Sequence, residues 1–381
     1  IGDSLAFLSL VIFLLTLGAF TIYFYFVWRN TYLYFDQNNL IIEKGKIFKK
    51  ITTIHLSDIA SINIKRSLLE KILGTSNLKF VLNTNSDTTF NSKLVFKDAD
   101  ALKIKNTILT KMGKEPVLKE EELESVLNYT VQDVFRHMWL SIDLGLILFL
   151  FAFYIGIIMI DISLAEGVFF VFLTLFLVVG PIIWNLFTNF LSYYNFKVSR
   201  DEQTIKLAYG AITTYKYSLP INRIHAVMFK QTFQARLTKY TEIEVVNAGI
   251  DNSEDQNVKT LISLYVKEQE KNIILKEIVP EYNHNIIMQS LNKDAFKQLL
   301  LAKSPWYLIT LALSFFSLYF LILLPLLVFI AYLQYKTAKI GYDDQLLVIQ
   351  KGIINKRLTL IKYEHIELMS MKKTLTSYFF Q

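Results

Sequence analysis

One pattern occurs three times along the chain, and this repeat restricts the possible folds more than any other feature. Taking Gly45, Gly210 and Gly352 as origins, an Asp lies nine residues before each: Asp36, Asp201 and Asp343. Leu40, Ile205 and Leu347 lie five before, and Ile42, Leu207 and Ile349 three before. Ile47, Ile212 and Ile354 lie two after, and Ile59, Ile224 and Ile366 fourteen after, with no gap in any copy. Leu40 with Ile42, and Ile205 with Leu207, alternate with other residues at the period of a half-buried strand. The Asp and the polar residues after it mark a turn into that strand. The Gly falls where the chain must reverse, and it supplies positive φ at little cost. Strands follow at Lys50–Leu56, Thr214–Leu219 and Lys356–Ile361, with more at Leu78–Asn83 and Lys93–Lys97. The first copy ends in Asp98–Met112, where Ala101, Leu102, Ile104, Ile108 and Leu109 share one helical face. The predicted unit is a meander of strands closed by a C-terminal helix.

Between the copies the chain is strongly apolar. Hydrophobic residues make up 53% of the 381, the mean hydropathy is +0.35, and charged residues are 19%. Leu5–Trp28 has the length for a bilayer core and ends in an aromatic band followed by Arg29. Met138–Ile160 and Leu164–Leu186, separated by Asp161–Ser163, read as a helical hairpin. Trp306–Leu333 carries no charge over 28 residues and reads either as one long helix or as a short hairpin. Arg136 and His137 before the helical hairpin and Lys197 and Arg200 after it, with Asp161 and Glu166 but no basic residue in its loop, put both flanks and the polar modules on the cytoplasmic side. The predicted fold class is therefore a multi-pass α-helical membrane protein with repeated β modules. Its divisions are a transmembrane helix over 1–30, module 1 over 31–113 and an acidic linker over 114–135. A transmembrane hairpin over 136–190, module 2 over 191–300, a transmembrane segment over 304–335 and an incomplete module 3 over 336–381 complete it. The start at Ile1 and the end inside a patterned segment read as a fragment lacking residues at both ends.

The repeated turn-strand-Gly segments, such as Leu40-Ile41-Ile42-Glu43-Lys44-Gly45, and the segment Leu219-Pro220-Ile221-Asn222-Arg223-Ile224 resemble the bacterial PH-domain membrane proteins of the YdbS/YdbT type. Ile274–Tyr282 resembles the end of a middle module of that type. The resemblance implies PH-like β-barrel modules, each closed by a C-terminal helix, and a bacterial cell-membrane location, and it brings no catalytic residues with it. Copy two departs from the pattern in having Lys239 where copy one has Gly74.

No constellation for chemistry is visible. The chain has no Cys, and its five His lie at different offsets in the repeat, so no metal site, thiol site or cofactor is expected. The expected function is that of a non-enzymatic scaffold whose modules bind each other, a partner membrane protein or anionic lipid, without nucleic acid. A transporter or channel component is the rival. The candidate lipid or partner surface is Lys46, Lys49, Lys50, Lys65 and Arg66, where each basic residue near an anionic leaflet contributes about 1 kcal/mol. A candidate intramembrane polar contact joins Asp143 to Asn185.

Overall fold

The computed structural model describes residues 2–45, 49–82, 94–113, 126–142, 169, 172–173, 176, 179–247, 261–315, 318–366 and 368–370. Module 1 begins with β1 (Thr31–Asp36), β2 (Asn39–Lys44) and β3 (Lys50–His55), an antiparallel sheet. It continues with β4 (Ile59–Arg66), β5 (Thr75–Leu82) and β6 (Leu94–Lys97) and closes with the expected helix, Asp98–Lys111. Leu40, Ile42 and Ile54 from the first sheet meet Ile59, Ile62, Leu78, Phe80 and Leu94 from the second, with Ala101 and Ile108 from the helix. The period-two alternation therefore faces the core as the sequence predicts.

Module 2 repeats this order. β7 (Leu127–Asn128) joins β8 (Lys197–Arg200), β9 (Thr204–Tyr209) and β10 (Thr214–Pro220). Then come β11 (Ile224–Gln231), β12 (Tyr240–Asn247) and β13 (Leu261–Lys267), closed by the helix Glu268–Ile278. Module 3 supplies β15 (Lys339–Tyr342), β16 (Leu346–Lys351) and β17 (Lys356–Lys362), and β15 is joined by β14 (Gln289–Ser290), which lies inside the 191–300 span expected for module 2.

The strands do not form a self-contained meander in each module. Within a module the two sheets pack face to face, but the hydrogen-bonded ladder runs on into the next module. β4 pairs with β10 and β11 with β17, giving two seven-stranded sheets, β6-β5-β4-β10-β9-β8-β7 and β13-β12-β11-β17-β16-β15-β14.

The glycine turns explain the anchor of the repeat. Gly210 and Gly352 have φ of 108° and 109°, and a Cβ at either would stand 1.9 Å from the carbonyl oxygen of Thr213 or Asn355. The repeated Asp is explained in copy three, where the Asp343 carboxylate accepts from the backbone N–H groups of Gln345 and Leu346 at 2.8 and 2.6 Å.

The expected multi-pass helical class is overturned. Among the described residues one helix, Phe320–Thr337, is long and apolar enough to cross a membrane, and two seven-stranded antiparallel sheets run through the modules. Val11–Val27, within the helix Gly2–Arg29, is a shorter apolar stretch. Met138–Leu140, expected to start a membrane helix, instead ends the helix Val131–Leu140, whose start Thr130 caps through the Asp133 N–H. Residues 143–168 of the expected hairpin lie outside the described residues. The run expected at Trp306–Leu333 is a helix over Ser304–Ser314, a 3-10 turn over Leu318–Ile322 and a helix over Leu323–Thr337. The linker contributes β7 to module 2, because its Leu127 and Asn128 pair with β8.

Candidate interaction surfaces

Both module junctions are built on antiparallel strand pairing. In the first, Arg66 faces Thr214, Lys65 faces Tyr215 and Ile64 faces Lys216. In the second the ladder runs from Gln231 opposite Lys356 to Ala226 opposite Ile361. Counted from the turn glycines, the position 21 residues after faces the position four after in both, so the two junctions share one register.

A side-chain contact repeats with it. Lys71 and Arg236 both lie 26 residues after their turn glycines. Lys71 donates through Nζ to the Ala211 carbonyl at 2.6 Å, and Arg236 through Nη1 to the Ile353 carbonyl at 2.7 Å. Ala211 and Ile353 each follow the turn glycine of the next module. Each cation sits on a short helix, Leu68–Leu73 or Phe233–Leu237, capped by Ser67 or Thr232 at the same offset. Ser67 and Glu70 form a full capping box, a sequence signature that could have announced the first helix.

The junctions differ in what lines them. At the first, the Asn63 carboxamide oxygen accepts from the Ser218 N–H at 3.2 Å, and Arg223 Nη1 donates to the Leu82 carbonyl at 3.1 Å. Asn38, His55, Lys111, Pro220 and Arg223 line a cleft of about 510 Å³ there. Lys105, on the closing helix of module 1, is pushed down to about 8 by burial and then by Lys216 and Lys206 of module 2. At the second junction, Leu346, Val348 and Leu360 of module 3 join the core of module 2 beside Ile278, Val279 and Tyr282. His225 and His365 stack there at 4.6 Å between ring centres.

The five basic residues expected to form one surface are divided. Lys49 and Lys50 are exposed, and Lys49 pairs with Glu43 at 2.6 Å, which holds its ammonium above the usual lysine range. Lys65 and Arg66 lie in β4, the strand already engaged by module 2. The Lys65 ammonium sits 5.3 Å from the Tyr215 ring centre, and Arg66 pairs with Asp98. Lys46 lies outside the described residues. Asp143 does too, and with it the expected contact to Asn185, whose Oδ1 accepts from Asn189 Nδ2 at 2.8 Å. Among the described residues no group of His, Asp and Glu is arranged to hold a metal ion.

One edge of the junction type is left over. β3 occupies in module 1 the place of β10 and β17, and among the described residues its sole ladder partner is β2. Its Ile51 is 55% exposed.

The family model for the bacterial PH domain matches residues 3–112, 144–273 and 299–381. The transmembrane protein YdbT of Bacillus subtilis (strain 168) is 23% identical over 203 residues, which are 52% of this chain and 41% of that protein. The chain thus spans about two fifths of the length of this curated relative. No solved structure matches. With the family model covering most of its length in three successive regions, the chain belongs to the bacterial PH domain family.

Proposed function

We propose that the chain is a membrane-anchored, non-enzymatic scaffold whose PH-like modules, on the cytoplasmic side of a bacterial cell membrane, engage partners by the same edge pairing that joins them to each other. Membrane association is supported by the apolar helix Phe320–Thr337 and by the transmembrane character of the related YdbT. The observation that carries the scaffold reading is the constant register of both junctions, with β3 left as a third edge of the same kind. A row of unpaired backbone groups is a template for strand addition. Its occupant in this reading is the fourth strand of a PH-like module in another protein. This chain's own third copy is a poor occupant, because the shared register would set Lys372 and Lys373 against Lys50 and Lys49.

A photo-crosslinking residue at Ile51 in the full chain in native membranes tests this. The expected product is a peptide from a PH-like module of a different protein, lost in Thr53→Pro. Thr53 corresponds to Ser218, whose N–H points across the junction. A proline there removes that donor without touching the β2 ladder. Cross-links unaffected by Thr53→Pro, or made to lipid alone, contradict the reading.

A further inference from the structure

We propose that the short helices Leu68–Leu73 and Phe233–Leu237, with Ile212 and Ile354 two residues after their turn glycines, form an apolar rim that dips into the lipid headgroup layer beneath the modules. The ligand is the bilayer surface itself, and the proposal rests on the membrane association argued above.

The first observation is exposure without an evident partner. Leu69, Ile72 and Leu73 are 71%, 73% and 72% exposed, and Leu237 is 71% exposed at the offset of Ile72. Leu68 and Phe233, again at one offset, are also exposed. A six-residue helix that turns four large apolar side chains to the outside gains nothing from doing so in water. The isoleucine of the repeat, two residues past the glycine, is exposed at both described copies, Ile212 and Ile354. A turn has no internal need of an exposed isoleucine, so its exposure at both Ile212 and Ile354 calls for an external one.

The second observation is position. The chain of contacts runs from the rim to the roots of the apolar helices. Lys71 donates to the Ala211 carbonyl, and the Ala211 N–H donates at 2.8 Å to Leu191, near the end of the apolar helix Gly180–Tyr193. Arg236 donates to the Ile353 carbonyl. Next to it, Gly352, Ile353 and Ile354 line a cleft with Gln334 and Ala338, at the end of Phe320–Thr337. Gln350 Nε2 ties that strand to the Thr337 carbonyl at 2.8 Å. On its other side, the second short helix is held by bonds from Thr232 and Gln234 to the Leu140 and Ile142 carbonyls, at 2.6 and 3.2 Å. There the chain enters the apolar run after residue 142, beside exposed Phe135 and Trp139. Apolar side chains, an interfacial tryptophan and cations with long apolar stems at one level are the composition of a surface lying in the membrane interface.

The chain has no cysteine, so single sites can be labelled directly. Leu69→Cys and Leu237→Cys, each carrying a nitroxide, are compared in the full chain in nanodiscs by the ratio of collisions with oxygen to collisions with a water-soluble nickel chelate. Both positions are exposed, so neither substitution disturbs the core. Leu326→Cys, on the spanning helix, serves as the lipid standard. Glu202→Cys, at the far end of β9 from its glycine turn, is the water standard. The expected ratio at Leu69 and Leu237 is shifted toward that of Leu326. Water-like ratios at both, with Leu326 lipid-like, overturn the rim and leave membrane anchoring intact. A water-like ratio at Leu326 itself overturns both.

Discussion

The two junctions share a register and differ in their chemistry. At the second, six successive positions pair, and the face of module 3 turned toward module 2 is Leu346, Val348 and Leu360. At the first, three positions pair before Asn63 interposes its side chain, and the same three offsets hold Thr204, Lys206 and Ser218. Modules 2 and 3 therefore share one apolar core, whereas module 1 keeps a core of its own. Backbone pairing fixes how the modules meet, and side-chain burial decides whether they can part. Because the hydrophobic effect scales with apolar area removed from water, the second junction is a fusion and the first a seam.

The largest effect should come from an uncompensated charge in the shared core. Val348→Asp should cost about 3–5 kcal/mol, and hydrogen exchange should show protection lost in β11, β12 and β17 together. Ile42→Asp, equally buried in module 1, should cost a similar amount but leave β11–β13 protected. Simultaneous loss in all three modules would erase the distinction between seam and fusion.

Next in size are the turns. Gly210→Ala and Gly352→Ala force a Cβ onto a backbone carbonyl at positive φ, and strain of about 1–3 kcal/mol is expected for each. Thermal unfolding should report the Gly352 change on modules 2 and 3 as one transition.

Smaller effects probe the charges at each junction. Lys105 has its pKa lowered in the folded state, so the unfolded chain holds the proton more tightly, and stability rises as pH climbs from about 8 toward the ordinary lysine value. Lys216→Glu should reverse the repulsion, gaining under about 1 kcal/mol at neutral pH and flattening that rise. At the second junction, burial and then His225 lower the pKa of His365. Stability there should be full above the unfolded histidine pKa of about 6.5, and should fall as pH drops below it. His365→Gln should remove this dependence, read as midpoint against pH in a denaturant titration.

Much of the module was legible in the sequence. The glycine, the aspartate turn and the alternating Leu40 and Ile42 each reflect a local demand of one residue, which a single sequence displays. The joining of modules was not legible, because strand partners far apart in sequence leave no periodic trace. The matched cations Lys71 and Arg236 were the readable sign of it. The division of the five basic residues was hidden for a related reason: Lys65 and Arg66 look solvent-facing until β10 is laid beside them. Hydropathy alone made the chain look like a multi-pass bundle, whereas the described residues hold one helix fit to cross a membrane and two long antiparallel sheets.

The central claim is that modules join through one strand pairing in one register, and disulfide trapping tests it most directly in a chain without cysteine. Lys65→Cys with Tyr215→Cys, and Lys230→Cys with Arg357→Cys, occupy the same pair of offsets at the two junctions. Directly opposed strand residues lie within disulfide reach. Both pairs should oxidise readily within a monomer, and the shifted pair Lys65→Cys with Lys216→Cys, on opposite faces, should not. Efficient oxidation of the shifted pair, or failure of either matched pair, would contradict the shared register.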